Sequence, residues 1–285
     1  MNETSEAETA VIKVDKDLCT RCGLCRKSCG SKWIWMNDDG YPVMDMDEGC
    51  IDCGHCVAVC PTGAISNIRM DDGDFKDMVD PGITIDAFTH LTRNRRSIRD
   101  YLAKPVKQEH VDKLLNCVRY IPTGSNLQSL EYLVITNENT LQDIKEYMAK
   151  KFELTYKIAR IFRFAASKQE RLRLKQQVNL WRSGNDNYLR NAPCLLVIYS
   201  KKNYFGIPAW DAGIASHNID LAAQTLGLGT MLNGFFVVTC KVFKGLKRIA
   251  GVPKNATVLA AMTLGYPDIS YKRTVHRKPL NVAYR

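Results

Sequence analysis

Eight of the eleven cysteines in this chain of 285 residues lie within the first 60 positions, where they form two copies of one motif. The first copy reads C-T-R-C-G-L-C-R-K-S-C and the second reads C-I-D-C-G-H-C-V-A-V-C. Both copies follow the pattern C-x-x-C-G-x-C-x-x-x-C at an offset of 31 residues, which indicates an internal duplication. Thiols this dense, in a chain without the marks of secretion, favour metal coordination over disulfide bonds.

The spacing of each copy matches the bacterial ferredoxin pattern for cubane [4Fe–4S] clusters, and Pro61 supplies the expected proline after the second copy, whereas Gly30 follows the first. Three closely spaced thiolates bind three irons of one cube, and the fourth cysteine of each run ligates the other cluster. A zinc site would leave the third and fourth cysteines of each run unexplained. The predicted ligand sets are Cys19, Cys22, Cys25 and Cys60 for one cluster and Cys50, Cys53, Cys56 and Cys29 for the other.

The N-terminal sequence MNETSEAETA is acidic and lacks the basic and apolar regions of a secretory signal. No run approaches the roughly 18 apolar residues of a membrane span, so we expect a cytoplasmic protein without a membrane partner. The formal net charge of +10 is unevenly distributed, because residues 1–80 hold 8 Lys+Arg against 16 Asp+Glu while residues 81–285 hold 32 against 14. No aromatic-basic motif accompanies the basic part, and we expect no nucleic-acid partner.

The hydrophobic pattern changes after the cysteine-rich part of the chain. We expect a two-cluster domain at 10–68 (repeats at about 10–39 and 41–70), an acidic linker at 69–83 and a second domain at 84–285. In the second domain, helices are predicted for VKQEHVDKLLNCVRYI, NENTLQDIKEYMAKKF, KFELTYKIARIFRFAASKQERLRLKQQV and AWDAGIASHNIDLAAQTLGLG, and strands for EYLVIT, CLLVIYS and TVLAAMTLGYP. Strands separated by long helices indicate an α+β or α/β domain. Cys117, Cys194 and Cys240 are expected to be buried.

Five further segments occur in the order and at the approximate distances found in FMN-dependent nitroreductases. They are R-R-S-I-R-D-Y (95–101), P-T-G-S-N-L-Q-S-L-E (122–131), N-A-P (191–193), L-G-L-G-T-M-L-N-G (226–234) and L-G-Y-P (264–267), with Arg277 beyond them. The chain resembles that family over roughly residues 84–285, and as a whole it is similar to ferredoxin-fused nitroreductases, found mainly in anaerobes. The resemblance implies an α+β fold and a homodimer that binds FMN at its interface.

The same resemblance implies roles for individual residues. The FMN phosphate and ribityl chain would be held by Arg95, Ser97, Arg99 and Arg277, with Arg96 contributing through its backbone or at the flavin edge. The flavin and ribityl group would also meet Thr123, Ser125, Asn126 and Gln128, which in this family come from the partner subunit. The pyrimidine and N5 edge of the ring would lie against Asn233 and Gly234. The reacting atom would be flavin N5, and no side chain is identified as a proton donor.

Clusters and flavin together predict an oxidoreductase that passes electrons from [4Fe–4S] clusters to FMN and on to an electron-poor acceptor such as a nitroaromatic or a quinone. An external donor, either a ferredoxin-like protein or NAD(P)H, would supply the electrons. Two other hypotheses stay open at this point. The chain would then be an electron-transfer module that serves a protein partner, or a redox sensor.

Overall fold

The computed structural model describes residues 10–44, 47–162, 167–202 and 207–285. Its contacts divide the chain into two compact units. The first unit comprises Met1–Gly82 and Ser125–Leu127, and the second comprises Ile83–Gly124 and Gln128–Arg285. Across the described ranges, no helix combines the length and the apolar character needed to span a membrane.

The first unit repeats one arrangement of strand, cysteine run and short helix. Strand β1 (Ile12–Val14) pairs antiparallel with β4 (Ile65–Asn67), and β2 (Ile34–Met36) pairs antiparallel with β3 (Pro42–Met44). The two helices are α1 (Leu24–Ser28) and α2 (His55–Ala58), and 3-10 turns cover Asp47–Gly49 and Asp72–Asp74. The buried core of this unit is one small cluster: Ile12, Cys25, Ile34, Cys56 and Ile65. Each copy of the motif thus leads from a strand into a helix, as the duplication predicts.

A glycine at the same position of both motifs makes the turn into the helix possible. Gly23 precedes α1 with φ 71° and ψ 7°, and Gly54 precedes α2 with φ 72° and ψ −1°. A residue with a Cβ would pay roughly 1–2 kcal/mol in this left-handed conformation. The chain can therefore reverse direction directly after the second cysteine of each run and bring the third cysteine back toward it.

The second unit is built on a four-stranded antiparallel sheet with the order β5-β6-β8-β7. Its strands are β5 (Glu131–Ile135), β6 (Cys194–Ser200), β7 (Gly229–Leu232) and β8 (Thr257–Gly265). Every residue of β6 is buried, and alternate side chains enter two different cores. Leu195 and Val197 face one core while Leu196 and Ile198 face the other. The three predicted strands are therefore present, and the predicted α+β fold is confirmed.

Helices cover both faces of this sheet. They are α3 (Ile85–Asn94), α4 (Gln108–Val118), α5 (Glu138–Ile161), α6 (Lys168–Arg182), α7 (Ile207–Thr225), α8 (Gly234–Val242) and α9 (Lys244–Ala250), and a 3-10 turn covers Gly124–Asn126. Leu114 of α4 and Ile219 of α7 belong to one core, and Met148 of α5, Phe236 of α8 and Leu246 of α9 belong to the other. The sheet is thus buried on both sides.

Three features differ from the sequence-based expectations. The two helices predicted over the basic stretch have other bounds: α5 continues to Ile161, and α6 starts after Ser167, whose hydroxyl and the Glu170 carboxylate form a reciprocal cap. The segment 163–166 of the predicted second helix lies outside the described residues. Strand β7 and helices α3, α8 and α9 were not predicted. The prediction of a buried Cys117 is wrong, because this residue lies beside the buried stripe of α4 and is exposed.

Candidate functional site

The first unit holds a cavity around one of the two predicted ligand sets. Its lining contains Cys19, Cys22, Cys25 and Cys60. Three of these cysteines come from the first motif and one from the second, the division expected for a ferredoxin-type site. Apolar side chains close the wall, including Val14, Met36 and Ile65.

A second cavity in the same unit surrounds the other set. Its lining contains Cys29, Cys50, Cys53 and Cys56, with Trp33, Ile34 and Met44 as apolar neighbours. The crossed pairing of the motifs is repeated here, because Cys29 belongs to the first run. The fold of the unit therefore sorts the eight cysteines into the two groups of four that the spacing predicts.

The cysteine sulfurs lie in a setting that favours metal over free thiolate. Burial raises the pKa of Cys56 to about 11 and also raises the pKa of Cys25, so ionisation requires a compensating cation. Burial alone would raise the pKa of Cys60 too, but hydrogen bonds from Thr62 and Ala64 outweigh it and the pKa is lowered. The Ala64 N–H lies 3.3 Å from the Cys60 sulfur.

The two cavities have the number of cysteines that a cluster site needs. Each is lined by four cysteines drawn from both motifs. In a ferredoxin-type domain, four cysteine thiolates hold a cube of four irons and four sulfides.

In the second unit, the segment that follows α3 runs along strand β7. Ser97 forms a parallel bridge with Thr230, and the Ile98 N–H donates to the Thr230 carbonyl at 2.9 Å. Arg95 Nη1 lies 3.2 Å from Asp220 Oδ2, and Thr230 Oγ1 donates to Asp220 Oδ1 at 2.6 Å. One carboxylate on α7 therefore orients both a predicted phosphate-binding arginine and the strand beside it.

The other predicted arginines lie on the same segment or on the C-terminal segment that meets it. Arg96 Nη2 donates to the Arg273 carbonyl at 3.4 Å, and the Nε of Arg96 is buried without a hydrogen-bond partner among the described residues. Arg99 and Arg277 are exposed. Guanidinium N–H groups and a serine hydroxyl are donors of the kind that phosphate oxygens accept.

The loop after α4 holds four more predicted residues, three of them in a strained backbone. Ser125, Asn126 and Gln128 have φ of 50°, 51° and 42°, a conformation that non-glycine residues seldom adopt and that clusters at functional sites. Two hydrogen bonds fix the ends of the loop. The Gln128 N–H donates to Thr123 Oγ1 at 3.2 Å, and the Gly124 N–H donates at 3.1 Å to a carboxylate buried on α7, that of Asp211.

Asn126 lies in the short segment Ser125–Leu127, which belongs to the first unit, whereas the chain on both sides of this segment belongs to the second. Its Nδ2 donates to the carbonyls of Ile51 and Asp52 at 3.0 and 2.6 Å. These carbonyls lie between the first two cysteines of the second motif. The amide nitrogen of Asn126 is therefore engaged by the backbone of that cluster loop.

The side chain of Asn233, predicted to lie at the flavin edge, has two partners within the protein. Its Oδ1 accepts the Phe236 N–H at 3.0 Å as the N-cap of α8, and its Nδ2 donates to the Tyr188 carbonyl at 2.7 Å. The side chain is only 3% exposed, so both ends of the amide serve the fold. Gly234, in contrast, is exposed at the start of α8, where a Cβ would meet no atom within 4 Å. At this position the backbone, rather than the asparagine side chain, is accessible to a ligand.

The sequence-based prediction missed two residues of the arginine site. Asp220 is one of two acids in an apolar, Ala-rich helix, and Thr230 lies between the two halves of the Gly-rich segment. A buried acid on an otherwise apolar helix is a detectable sign of a partner, since an unpaired buried carboxylate is costly. The identity of that partner, 125 positions away in sequence, is visible only in the fold.

Comparison with families of known proteins finds one match in each of the two parts of the chain. Residues 92–266 match the Nitroreductase family, and residues 11–61 match the 4Fe-4S dicluster domain. The first match covers more than half of the chain, so this protein belongs to the nitroreductase family. The predicted combination of a two-cluster ferredoxin domain with a nitroreductase domain is confirmed.

Individual relatives match the two parts separately. A putative NADH dehydrogenase/NAD(P)H nitroreductase of Methanothermobacter thermautotrophicus is 25% identical over 178 residues, covering 61% of this chain and 74% of the relative. A ferredoxin of Pyrobaculum islandicum is 38% identical over 66 residues, covering 23% of this chain and 59% of the ferredoxin. The crystal structure of a Bacteroides fragilis nitroreductase with bound FMN covers 69% of this chain and 98% of its own, at 20% identity and a TM-score of 0.54. The last likeness concerns the fold.

Proposed function

We propose that this protein is a flavin-dependent reductase in which two [4Fe–4S] clusters deliver electrons to FMN for the reduction of an electron-poor acceptor such as a nitroaromatic or a quinone. The observation that carries the proposal is the pair of cavities, each lined by four cysteines drawn from both motifs. A protein that only stored metal would not need a nitroreductase domain, and the family match shows that this chain contains one.

In this proposal the ligands follow the two cavities. One cluster is held by Cys19, Cys22, Cys25 and Cys60, and the other by Cys50, Cys53, Cys56 and Cys29. Apolar side chains line both cavities, and the Ala64 N–H stabilises negative charge on the Cys60 sulfur. Hydrogen bonds to cluster sulfurs raise the reduction potential, so the two clusters are expected to differ in potential.

The proposed FMN site uses the arginine segment and the strained loop. Arg95, Arg99 and Arg277 would neutralise the phosphate, Ser97 would donate a hydrogen bond to it, and Arg96 would present its unpartnered Nε. The Gly234 N–H, at the start of α8, would meet the ring edge. When bound, FMN supplies the exchange between single electrons and electron pairs. Thr123, Ser125, Asn126 and Gln128 would complete the site of a second copy, so we propose a homodimer.

The donor and the acceptor are proposed by chemical class. An external ferredoxin-like protein or NAD(P)H would supply electrons, and the relative from Methanothermobacter is named for NAD(P)H. A planar, electron-poor acceptor would be held over the ring, where the chain excludes water and fixes its orientation. No side chain is proposed as a proton donor.

The cluster assignment is tested by metal content in matched cysteine variants. The full chain is purified without oxygen, and iron, sulfide and FMN are measured per chain. We expect about eight irons in the wild type and about four in Cys53→Ser, because one cube holds four irons. Cys117→Ser is the control, since this exposed cysteine lies in neither cavity. Zinc in place of iron, or equal iron in the two variants, would refute the cluster proposal.

The electron route is tested by rapid mixing. Wild type and Arg95→Gln are reduced by reduced ferredoxin or by NADH, and the cluster and flavin absorptions are followed separately. We expect Arg95→Gln to lose FMN while it keeps its iron. Cys53→Ser should keep FMN and lose rapid reduction of the flavin by ferredoxin. If ferredoxin reduces the flavin of Cys53→Ser as fast as that of the wild type, the clusters are not on the electron route.

A further inference from the structure

A cavity of about 760 Å³ in the second unit is not used by the proposed reaction. It lies where α8 ends, α9 follows and β8 begins, and it is lined by residues between Cys240 and Val258. Its buried wall includes Val252 and Val258, and its rim holds Lys241, Lys244, Arg248 and Lys254. None of the predicted cluster or flavin residues belongs to it.

The charged residues that line this cavity are all cations. The sequence between Asp220 and Asp268, which supplies the whole lining, contains five Lys or Arg and no acidic residue. In the described part of the chain, none of the ion pairs involves one of the four rim cations, whereas Lys113, Lys150 and Lys157 on other helices pair with glutamates. Like charges held close together repel, so an anion at the rim would stabilise this surface.

One lining lysine has a structural task. Lys247 Nζ donates to the Lys254 carbonyl at 2.9 Å and also to the Ala256 carbonyl. These bonds tie the turn before β8 to α9 and engage two carbonyl oxygens of that turn. The other four cations of the lining, Lys241, Lys244, Arg248 and Lys254, are exposed.

The interior of the cavity is neutral and apolar. Cys240 lies on its wall, and burial raises the pKa of this thiol to about 12, although Lys247 nearby lowers it, so the sulfur stays protonated at neutral pH. An apolar interior below a cationic rim matches a ligand with an apolar or aromatic body and several negative charges. The volume lies within the roughly 300–1,000 Å³ typical of small-molecule pockets.

We propose that this cavity binds a phosphorylated organic molecule of nucleotide size, with its phosphates on Lys244, Arg248 and the neighbouring rim lysines and its body against Val252 and Val258. The site is separate from the predicted flavin-binding residues. Its existence does not depend on the proposed electron route. Helix α8 begins at Gly234, at the predicted flavin edge, and ends at Val242, next to Lys241 of the cavity lining. One helix therefore connects the two sites.

The test is a calorimetric titration of the full chain, loaded with FMN and clusters so that their sites are occupied. The probes are ADP, inorganic pyrophosphate and adenosine. We expect ADP to bind most tightly, pyrophosphate more weakly and adenosine hardly at all. Lys244→Glu/Arg248→Glu should weaken ADP binding at least about tenfold, because charge-assisted contacts are lost.

The matched control is Lys168→Glu/Lys175→Glu, which makes the same change in net charge on α6, outside the cavity. ADP binding that is unchanged in this control supports the cavity as the site. Equal weakening in both double variants would overturn the proposal, since it would reflect only the overall positive field. No ADP binding at millimolar concentration would also overturn it. Binding of an acidic protein such as reduced ferredoxin to the rim, without binding of ADP, would overturn the proposal as well, because the rim would then be a protein-docking surface.

Discussion

The carboxylate of Asp220 is the group on which the arginine segment most depends, and its removal is our main prediction. Its side chain is 13% exposed and that of Arg95 is 22% exposed, so their ion pair is shielded from most of the solvent. Asp220 accepts one hydrogen bond from Arg95 at 3.2 Å and one from Thr230 at 2.6 Å. Asp220→Ala removes both and leaves a partly buried guanidinium without its partner.

The expected magnitude follows from these contacts. A hydrogen bond to a charged group contributes about 1.5–3 kcal/mol, and breaking a fully buried pair costs about 3–5 kcal/mol. Because Arg95 retains some solvent, we expect Asp220→Ala to lower the free energy of unfolding of the second unit by about 2–4 kcal/mol. Asp220→Asn keeps the shape and the bond from Thr230, so about half of that loss is expected.

The assay is urea denaturation followed by flavin release and by far-UV circular dichroism. Arg95→Gln, Asp220→Asn and the double variant complete a mutant cycle, in which we expect a coupling energy of about 1–2 kcal/mol. FMN should also bind less tightly to both single variants, since the guanidinium is no longer held in place. Asp112→Ala is the control, because this exposed acid on α4 bonds only to Gln108 and its loss should cost less than about 0.5 kcal/mol. A coupling energy near zero, or an Asp220→Ala variant as stable as the control, would refute the reasoning.

Two further predictions concern the loop after α4 and alkaline pH. Gly124→Ala places a Cβ 2.2 Å from Ile207 Cγ2 and should destabilise the unit by about 1–3 kcal/mol, whereas Gly213→Ala on α7, with no atom within 4 Å, should stabilise it by about 0.5–1 kcal/mol in the same melting experiment. Equal melting temperatures for the two variants would contradict this. Burial raises the pKa of Cys194 from 9.0 to about 12, so its contribution to stability is complete below pH 9 and is lost as the pH rises toward 12, by about 1.4 kcal/mol per pH unit. Denaturation at pH 8 and 10 should therefore show a smaller loss in Cys194→Ala than in wild type, and an identical loss would count against it.

Local spacing explains why the cluster part was predictable. Ligand chemistry restricts which cysteines can share a cube. In each run, the first three cysteines lie within a stretch of seven residues, so six of the eight ligands can be assigned from spacing alone. The crossed assignment of Cys29 and Cys60 follows from the same rule, and the two cavities match it. The long strands were also predictable, because β6 is an unbroken apolar run that is buried on both faces.

Side-chain roles that depend on distant partners could not be read from the sequence. Asn233 stays a predicted neighbour of the flavin edge, and only the fold shows that its side chain caps α8. Cys117 has the composition of a core residue, yet the packing of α4 leaves it at the surface. The start of α6 is marked in the sequence by the capping motif S-x-x-E at Ser167–Glu170. The prediction overlooked it because the residues on both sides have helical composition.

By itself, the sequence determined the cofactor chemistry of the N-terminal part and the family of the C-terminal part, because both rest on residue types at short, regular spacing. Only the tertiary structure decided that Asp220 orients Arg95 and that Asp211 holds the strained loop. It also placed four cations, which form no ion pair with any residue the structure describes, around an apolar cavity. The physical reason is distance along the chain. Ligand spacing acts within a few residues, whereas charge pairing and burial depend on segments that meet only when the chain has folded.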